Sequence, residues 1–376
     1  MRATLSRTIT TLITSRTIRS MRRGWHGIGR AFGGKAVVHY FHQPDDPYSQ
    51  LAAQVLPRLT NQYRIAIKTH TVSAPDAAAA PELEKLQRLA ERDAALLAKA
   101  FGLKYPSSDA NPKQLADEGD ALRRRLGHYL SAMFYFEGEW YWGIDRLHYL
   151  EERLHAAGLS KTTAFAPIMP VKEVNYAGQR RNKAGATLDY FLSFRSPYTY
   201  LAVPRVRKLA AHYGAELRLR FVLPMVMRGL PVPPSKRLYI TLDTKREAER
   251  LGMPFGTIVD PVGKPTERGL AVLHQAIKCG KGPEFVESFL QGVFAEGIDA
   301  GTDTGLSRLA MRAGLTNDHV QTALKDESWR QVAEANRSEL FSLGLWGVPS
   351  FRVNSNAPHW GQDRLWAIED ELKSLN

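Results

Sequence analysis

A chain of 376 residues exceeds the usual span of one domain and is long enough to bury two cores. Its 44% hydrophobic and 24% charged residues are ordinary for a globular protein, and no apolar run approaches the roughly 18 residues of a membrane-crossing helix. The single cysteine, Cys279, excludes an intramolecular disulfide and any C-x-x-C pair, and such sparse use suits a reducing compartment such as the cytoplasm.

The formal charge of +13 raises nucleic acid or anionic lipid as partners, but its distribution decides more than its total. Arg2, Arg7, Arg16, Arg19, Arg22, Arg23, Arg30 and Lys35 precede the first acid, Asp45. Residues 1–34 therefore read as a basic N-terminal arm without the apolar core and cleavage site of a secretory signal. Three readings stand: a mitochondrial transit peptide, an amphipathic arm that touches membranes, or a solvated terminus of a cytoplasmic protein.

After the arm, the run 37–41 (VVHYF) predicts a buried strand, and Pro47 suits a first helical position. Tyr48, Leu51, Ala52, Val55, Leu59 and Tyr63 recur at helical spacing, and Ile65 and Ile67 alternate as a second strand. Helical sequence follows over about 82–132, then the block 142–154, WGIDRLHYLEERL. Residues 156–185, with Pro167, Pro170, Gly178 and the basic run 179–183, read as a linker.

The same order then repeats. The stretch 189–202 (DYFLSFRSPYTYLA) matches 39–52 (HYFHQPDDPYSQLA) without a gap, and 360–372 (WGQDRLWAIEDEL) matches 142–154. Two blocks in one order point to a duplication. The second copy adds an alternating strand at 217–223, helical sequence over 236–344, a strand at 350–353, a polar turn at 354–356 and a closing helix from Gln362. Each strand–helix–strand unit predicts a parallel pair with a right-handed crossover.

A strand, Ser-Pro-Tyr, a helix, a helical insertion, then Gly-Val-Pro-Ser-Phe and Trp-Gly-Gln-Asp-Arg-Leu make residues 187–374 similar to the DsbA-like thioredoxin family. The resemblance is to its branch of 2-hydroxychromene-2-carboxylate isomerases and kappa-class glutathione transferases; the first copy resembles the same fold more faintly. It implies an α/β protein of two tandem thioredoxin-like domains, each with a helical insertion. Residues 35–155 would be a degenerate domain and residues 186–376 a DsbA-like domain with the active site.

The resemblance places Ser196 where redox relatives keep their first cysteine, at a helix N-terminus whose N–H groups and dipole suit a thiolate brought by glutathione. The same residue is a favoured helix cap, and both readings hold together. Pro349 would be cis, with the Val348 backbone pairing with glutathione. Gln362 and Asp363 would meet its γ-glutamyl end, although Asp363 also suits a first helical turn, as Asp145 does in the first copy. Tyr198 would face the organic substrate.

Family members carry an asparagine after the second strand, where this chain has MVMRGLPVPPSKR at 225–237. Arg228 or Lys236 stands in as a partner for a carboxylate. Asp243 and Arg246 either line the cleft or belong to a solvated helix face, and Trp360 completes the cleft set. In the first copy Asp46 replaces the serine and no proline occupies the cis-proline position, so that copy reads as a scaffold.

The expected activity is a glutathione-dependent isomerase or transferase acting on a small aromatic or unsaturated acid, with no metal. The alternatives are a non-catalytic binding module, or a thiol–disulfide oxidoreductase relative that has lost its cysteines and with them dithiol exchange. No histidine spacing suggests a metal, and no nucleic-acid motif accompanies the basic charge. A homo-oligomer is compatible with the sequence.

Overall fold

A computed structural model of the chain describes residues 2–105, 116–176 and 185–375. It divides into two compact units. The first comprises Arg16–Lys172 with Val232–Tyr239, and the second comprises Met1–Ser15, Glu173–Pro231 and Ile240–Asn376.

These boundaries differ from the sequence reading at three places. The arm is not one segment: helix α1 (Arg2–Ile13) packs in the second unit and α2 (Arg16–Ala31) in the first. The expected linker is docked at both ends, because Glu151 accepts from the Ile168 and Met169 N–H groups while Glu369 accepts from Asn175 N–H. Its centre, with Gly178 and the run 179–183, lies outside the described residues. Finally, residues Val232–Tyr239 belong to the first unit, where the Lys236 ammonium donates to Ala79 O at 2.7 Å.

In the first unit, β1 (Val37–His42) leads through α3 (Pro47–Ala53) and α4 (Leu56–Gln62) to β2 (Ala66–Thr71). The expected single helix is broken at 54–55, and Pro57, which has no N–H to give, lies in the first turn of its second piece. Helices α5 (Leu83–Phe101) and α6 (Asp117–Arg125) form the insertion. The hairpin β3 (Met133–Phe136) and β4 (Glu139–Trp142) and helix α7 (Leu147–Ala156) close the unit.

The second unit repeats this plan with β5 (Thr187–Leu192), α8 (Pro197–Tyr213) and β6 (Glu216–Phe221). Its larger insertion comprises α9 (Pro234–Arg250), which belongs to this unit from Ile240 onward, α10 (Lys264–Lys278), α11 (Gly282–Gln291), α12 (Asp303–Arg312), α13 (Asn317–Ala323) and α14 (Trp329–Ser342). Strands β7 (Ser350–Val353) and β8 (His359–Trp360) and helix α15 (Leu365–Ser374) follow. The sheet orders correspond, β2-β1-β3-β4 and β6-β5-β7-β8, each with one parallel pair followed by antiparallel pairs.

Local chemistry explains why α8 begins and ends where it does. Ser196 caps it, Pro197 occupies the first turn, and Gly214 ends it at φ 67°, in the left-handed region where glycine carries no Cβ penalty. Its inner face (Leu201, Ala202, Val206, Leu209) is fully buried against the sheet and the insertion. In that core Phe194 stacks on Phe289 at 3.9 Å, and a Cβ on Gly269 would come within 2.6 Å of the Phe289 ring.

The sequence repeat is also a repeat of buried polar contacts. Tyr40 and Tyr190 donate to Ser49 O and Thr199 O, while Tyr63 and Tyr213 donate to Glu151 and Glu369. Tyr48 and Tyr198 donate to Asp93 at 2.8 Å and Asp243 at 2.7 Å. Each of these six phenols therefore keeps a partner, and the same partner position serves in both units.

Candidate functional site

Hydrogen bonds tie four segments of the second unit together around the start of α8. Ser196 has extended backbone angles (φ −96°, ψ 111°), and its Oγ accepts from Thr199 N–H at 3.2 Å. The same hydroxyl donates to Val348 O, also at 3.2 Å. One oxygen thus caps the helix and touches the loop leading into β7.

That loop contains the cis peptide Val348–Pro349. Pro349 O accepts from Gly361 N–H at 2.9 Å, which fixes the loop to the turn before α15. A Cβ on Gly347 would lie 2.1 Å from Trp360 Cζ2, so only glycine lets the indole close over the backbone beside Val348. Trp360 also meets Trp346 edge-on, with ring centroids 4.7 Å apart, and forms a wall next to the serine–proline pair.

Arg228, in the turn after β6, donates from Nη2 to Trp346 O at 3.0 Å. Its Nε and Nη1 are buried and have no hydrogen-bond partner among the described residues. Burial, and then Arg337, pull its pKa below the usual arginine value, with Glu334 opposing. Buried donors of this kind call for an acceptor, which a water or a carboxylate can supply. Lys236, the other cation expected here, instead bonds Ala79 O in the first unit, and burial lowers its pKa.

Gln362 and Asp363 are already engaged. The Gln362 amide donates to Glu247 at 3.0 Å and to Asp363, and its carbonyl oxygen accepts from Arg205. Burial lowers the Arg205 pKa, while Asp363, Glu247 and Tyr176 oppose that shift. Asp243 is buried at 1% exposure, holding the Tyr198 hydroxyl on one oxygen and Arg246 Nη2 on the other at 3.1 Å. It is therefore not part of a solvated helix face.

The equivalent mouth of the first unit is filled differently. Asp46 caps α3, accepting from the Tyr48 and Ser49 N–H groups and from Ser131 Oγ at 3.0 Å. Burial raises its pKa, and the Ser49 and Ser131 hydroxyls counteract that. By strand register Ser131 and Ala132 stand where Val348 and Pro349 do. Side chain thus bonds to side chain where the second unit bonds side chain to backbone.

Glu247 and Arg205 were not anticipated, and nothing in their spacing marks them. The Tyr198–Asp243 pair did carry a signal, since Tyr48 and Asp93 have the same 45-residue separation. Among the described residues no cluster of three or more His, Cys, Asp or Glu could hold a metal ion.

The sequence model of the DSBA-like thioredoxin domain family matches residues 187–373. Among curated proteins, a 2-hydroxychromene-2-carboxylate isomerase of Pseudomonas putida is 24% identical over 196 residues, covering 50% of this chain and 95% of the relative. A second isomerase of that name, from Pseudomonas sp. (strain C18), is 22% identical over 193 residues, covering 49% and 89%. The crystal structure of a probable DsbA oxidoreductase from Streptomyces coelicolor aligns with a TM-score of 0.42 at 21% identity, covering 51% of this chain and 92% of that one.

Proposed function

We propose, from the premise that residues 187–373 of this chain form a DSBA-like thioredoxin domain, that the chain binds glutathione at the mouth of α8 and isomerises or conjugates a small aromatic or unsaturated acid. The observation that carries the reading is the Ser196 hydroxyl, 3.2 Å from Val348 O beside a cis Val348–Pro349 peptide. When bound, glutathione would supply a sulfur nucleophile able to add reversibly to a conjugated double bond.

The chain's own groups have separable roles. The Ser196 hydroxyl, free to rotate, turns its hydrogen from Val348 O toward the sulfur, while the positive end of α8 favours the negative charge. Both effects lower a thiol pKa. The Val348 backbone pairs with the peptide part of the ligand, and the two unpartnered Arg228 donors take a carboxylate. Trp360 excludes water from one side. Gln362 and Asp363, held by Glu247 and Arg205, shape the rim as a pre-bonded network.

The first unit acts as a scaffold in this reading, because a carboxylate at the Asp46 position repels a thiolate. A second reading, a binding module without catalysis, is favoured by the prior engagement of the Gln362 amide. Dithiol exchange is chemically unavailable with Cys279 as the one thiol.

Thermal unfolding of the full chain with and without glutathione tests the proposal. At a hundred times its dissociation constant the ligand adds about 2.7 kcal/mol of stability, and Arg228→Met reduces that gain. No change in unfolding temperature at millimolar glutathione would favour the binding-module reading.

A further inference from the structure

The two N-terminal helices are turned the opposite way from ordinary surface helices. A helix on a globular protein buries its apolar stripe and shows its polar face to water. On α1, the polar face is the docked one: Ser6 Oγ donates to Ile258 O at 2.9 Å and Thr10 Oγ1 accepts from Ile258 N–H at 3.1 Å. Thr14 lies against Gly256 so closely that a Cβ there would be 2.3 Å from its hydroxyl. On the far face, Leu5, Ile9 and Leu12, spaced four and three residues apart, are all exposed.

Helix α2 does the same within the first unit. Arg22 donates to Gly138 O at 2.8 Å, Arg23 pairs with Glu139 at 2.9 Å, and Arg30 pairs with Glu137 at 2.9 Å. Gly138 admits the His26 ring, which a Cβ would meet at 2.6 Å. The polar face is thereby fixed inward, and Met21, Trp25 and Ile28 point outward, with Phe32 continuing the stripe just past the helix. Trp25 is 75% exposed and Phe32 88%.

Water is a poor partner for such stripes, and the charge around them narrows the choice of occupant. The first 44 residues hold eight Lys and Arg and no acid; Arg22, Arg23 and Arg30 are engaged by Gly138, Glu139 and Glu137, and the exposed Arg16 and Lys35 stand at the two ends of the α2 stripe. We propose that α1 and α2 are interfacial helices, whose outward stripes enter the headgroup boundary of an anionic lipid surface. No helix among the described residues is long and apolar enough to cross a membrane, so the attachment lies in the plane of the surface. The polar anchoring on Ile258, Glu137 and Glu139 holds the apolar faces outward before lipid is met, so little ordering is required on binding.

Flotation of the full chain with vesicles of phosphatidylcholine, alone or mixed with phosphatidylglycerol, tests this. The chain is expected to float with the anionic vesicles, and less so at high salt. The double variant Trp25→Ser/Phe32→Ser is expected to reduce the bound fraction about tenfold or more, from the lost apolar burial. A second variant, Ile9→Ser/Leu12→Ser, reads out α1 separately. All four residues are exposed, and unchanged circular dichroism melts verify that both variants fold. Equal flotation with neutral vesicles, no flotation with either, or flotation unchanged in both variants would overturn the proposal. A dimer on size exclusion that the variants dissociate, without vesicle binding, would instead make the stripes an interface between two copies.

Discussion

The Oγ of Ser196 accepts from Thr199 N–H and donates to Val348 O, so Ser196→Ala removes a helix cap along with any chemistry. The cap alone is worth about 1 kcal/mol, and a urea melt of the variant is expected to show that loss with the fold retained. A loss several times larger would mean that the hydroxyl organises the loop instead of merely meeting it. At Gly347 the constraint is steric. The Trp360 ring occupies the space a Cβ needs, and Gly347→Ala is expected to destabilise by roughly 1–3 kcal/mol, read as a lowered urea midpoint. Full retention of stability would show that the indole can leave its place over Val348.

His128 in the first unit offers a test by pH. Its Nδ1 accepts from Leu130 N–H, its ring lies against Tyr129, Trp140 and Tyr239, and burial with Arg123 lowers its pKa from 6.5 to about 3. The unfolded chain then binds the proton that the folded one refuses. Its contribution is complete above about pH 6.5 and falls as the pH drops toward 3, by about 1.4 kcal/mol per pH unit. His128→Phe is expected to flatten the stability curve in that window. An unchanged slope in chemical denaturation would contradict this assignment.

Among elements, the recurrence of tyrosine–acid pairs separates structure from chemistry. Tyr48–Asp93 joins α3 to α5, and Tyr198–Asp243 joins α8 to α9, although the helix cap beside the first pair is Asp46 where the second has Ser196. Tyr48→Phe and Tyr198→Phe are therefore expected to cost a similar amount, about 1.5–3 kcal/mol, by differential scanning calorimetry. A cost at Tyr48 alone would return Tyr198 to a role toward substrate. The sheets diverge elsewhere in an informative way. In the second unit Asp189 on β5, buried at 1%, is paired by Arg220 on β6 and Arg352 on β7, with Glu339 of α14 completing the network. At the same registers the first unit has His39, His70 and Tyr135, with His39 Nδ1 2.9 Å from His70 Nε2. A buried charge needs its counter-charges, so the ionic set had to change together. Burial lowers the pKa of both histidines, the response expected of imidazoles that stay neutral.

Across the whole molecule, strand periodicity and the two repeated blocks placed the parallel pair of each sheet and β7, because alternation is a local signal, whereas β3, β4 and β8, short strands that form only by antiparallel pairing, were not read as strands. The caps at Asp46 and Ser196 were equally legible, each lying directly before a proline. Unit boundaries were not, since the docking of residues 168–176 depends on Glu151 and Glu369, side chains distant in sequence. The site shows the same division. Ser196 and Val348 could be named from motifs, but the Glu247–Gln362–Arg205 network and the partnering of Lys236 with Ala79 arise from long-range packing. The arm was legible only as a basic segment, amphipathic in one reading; its two helices and their outward stripes were not read, because which face docks is decided by Ile258 and by Glu137 and Glu139.

The most direct test of the account is an ultraviolet titration of the glutathione thiol bound to the full chain, in the wild type and in Ser196→Ala. The bound thiol is expected to ionise at least about one pH unit below an ordinary cysteine thiol, and the alanine variant to reverse most of that shift while still binding the ligand. A bound thiol that ionises at its ordinary value in the wild type, or equally in both proteins, would contradict the role assigned to Ser196.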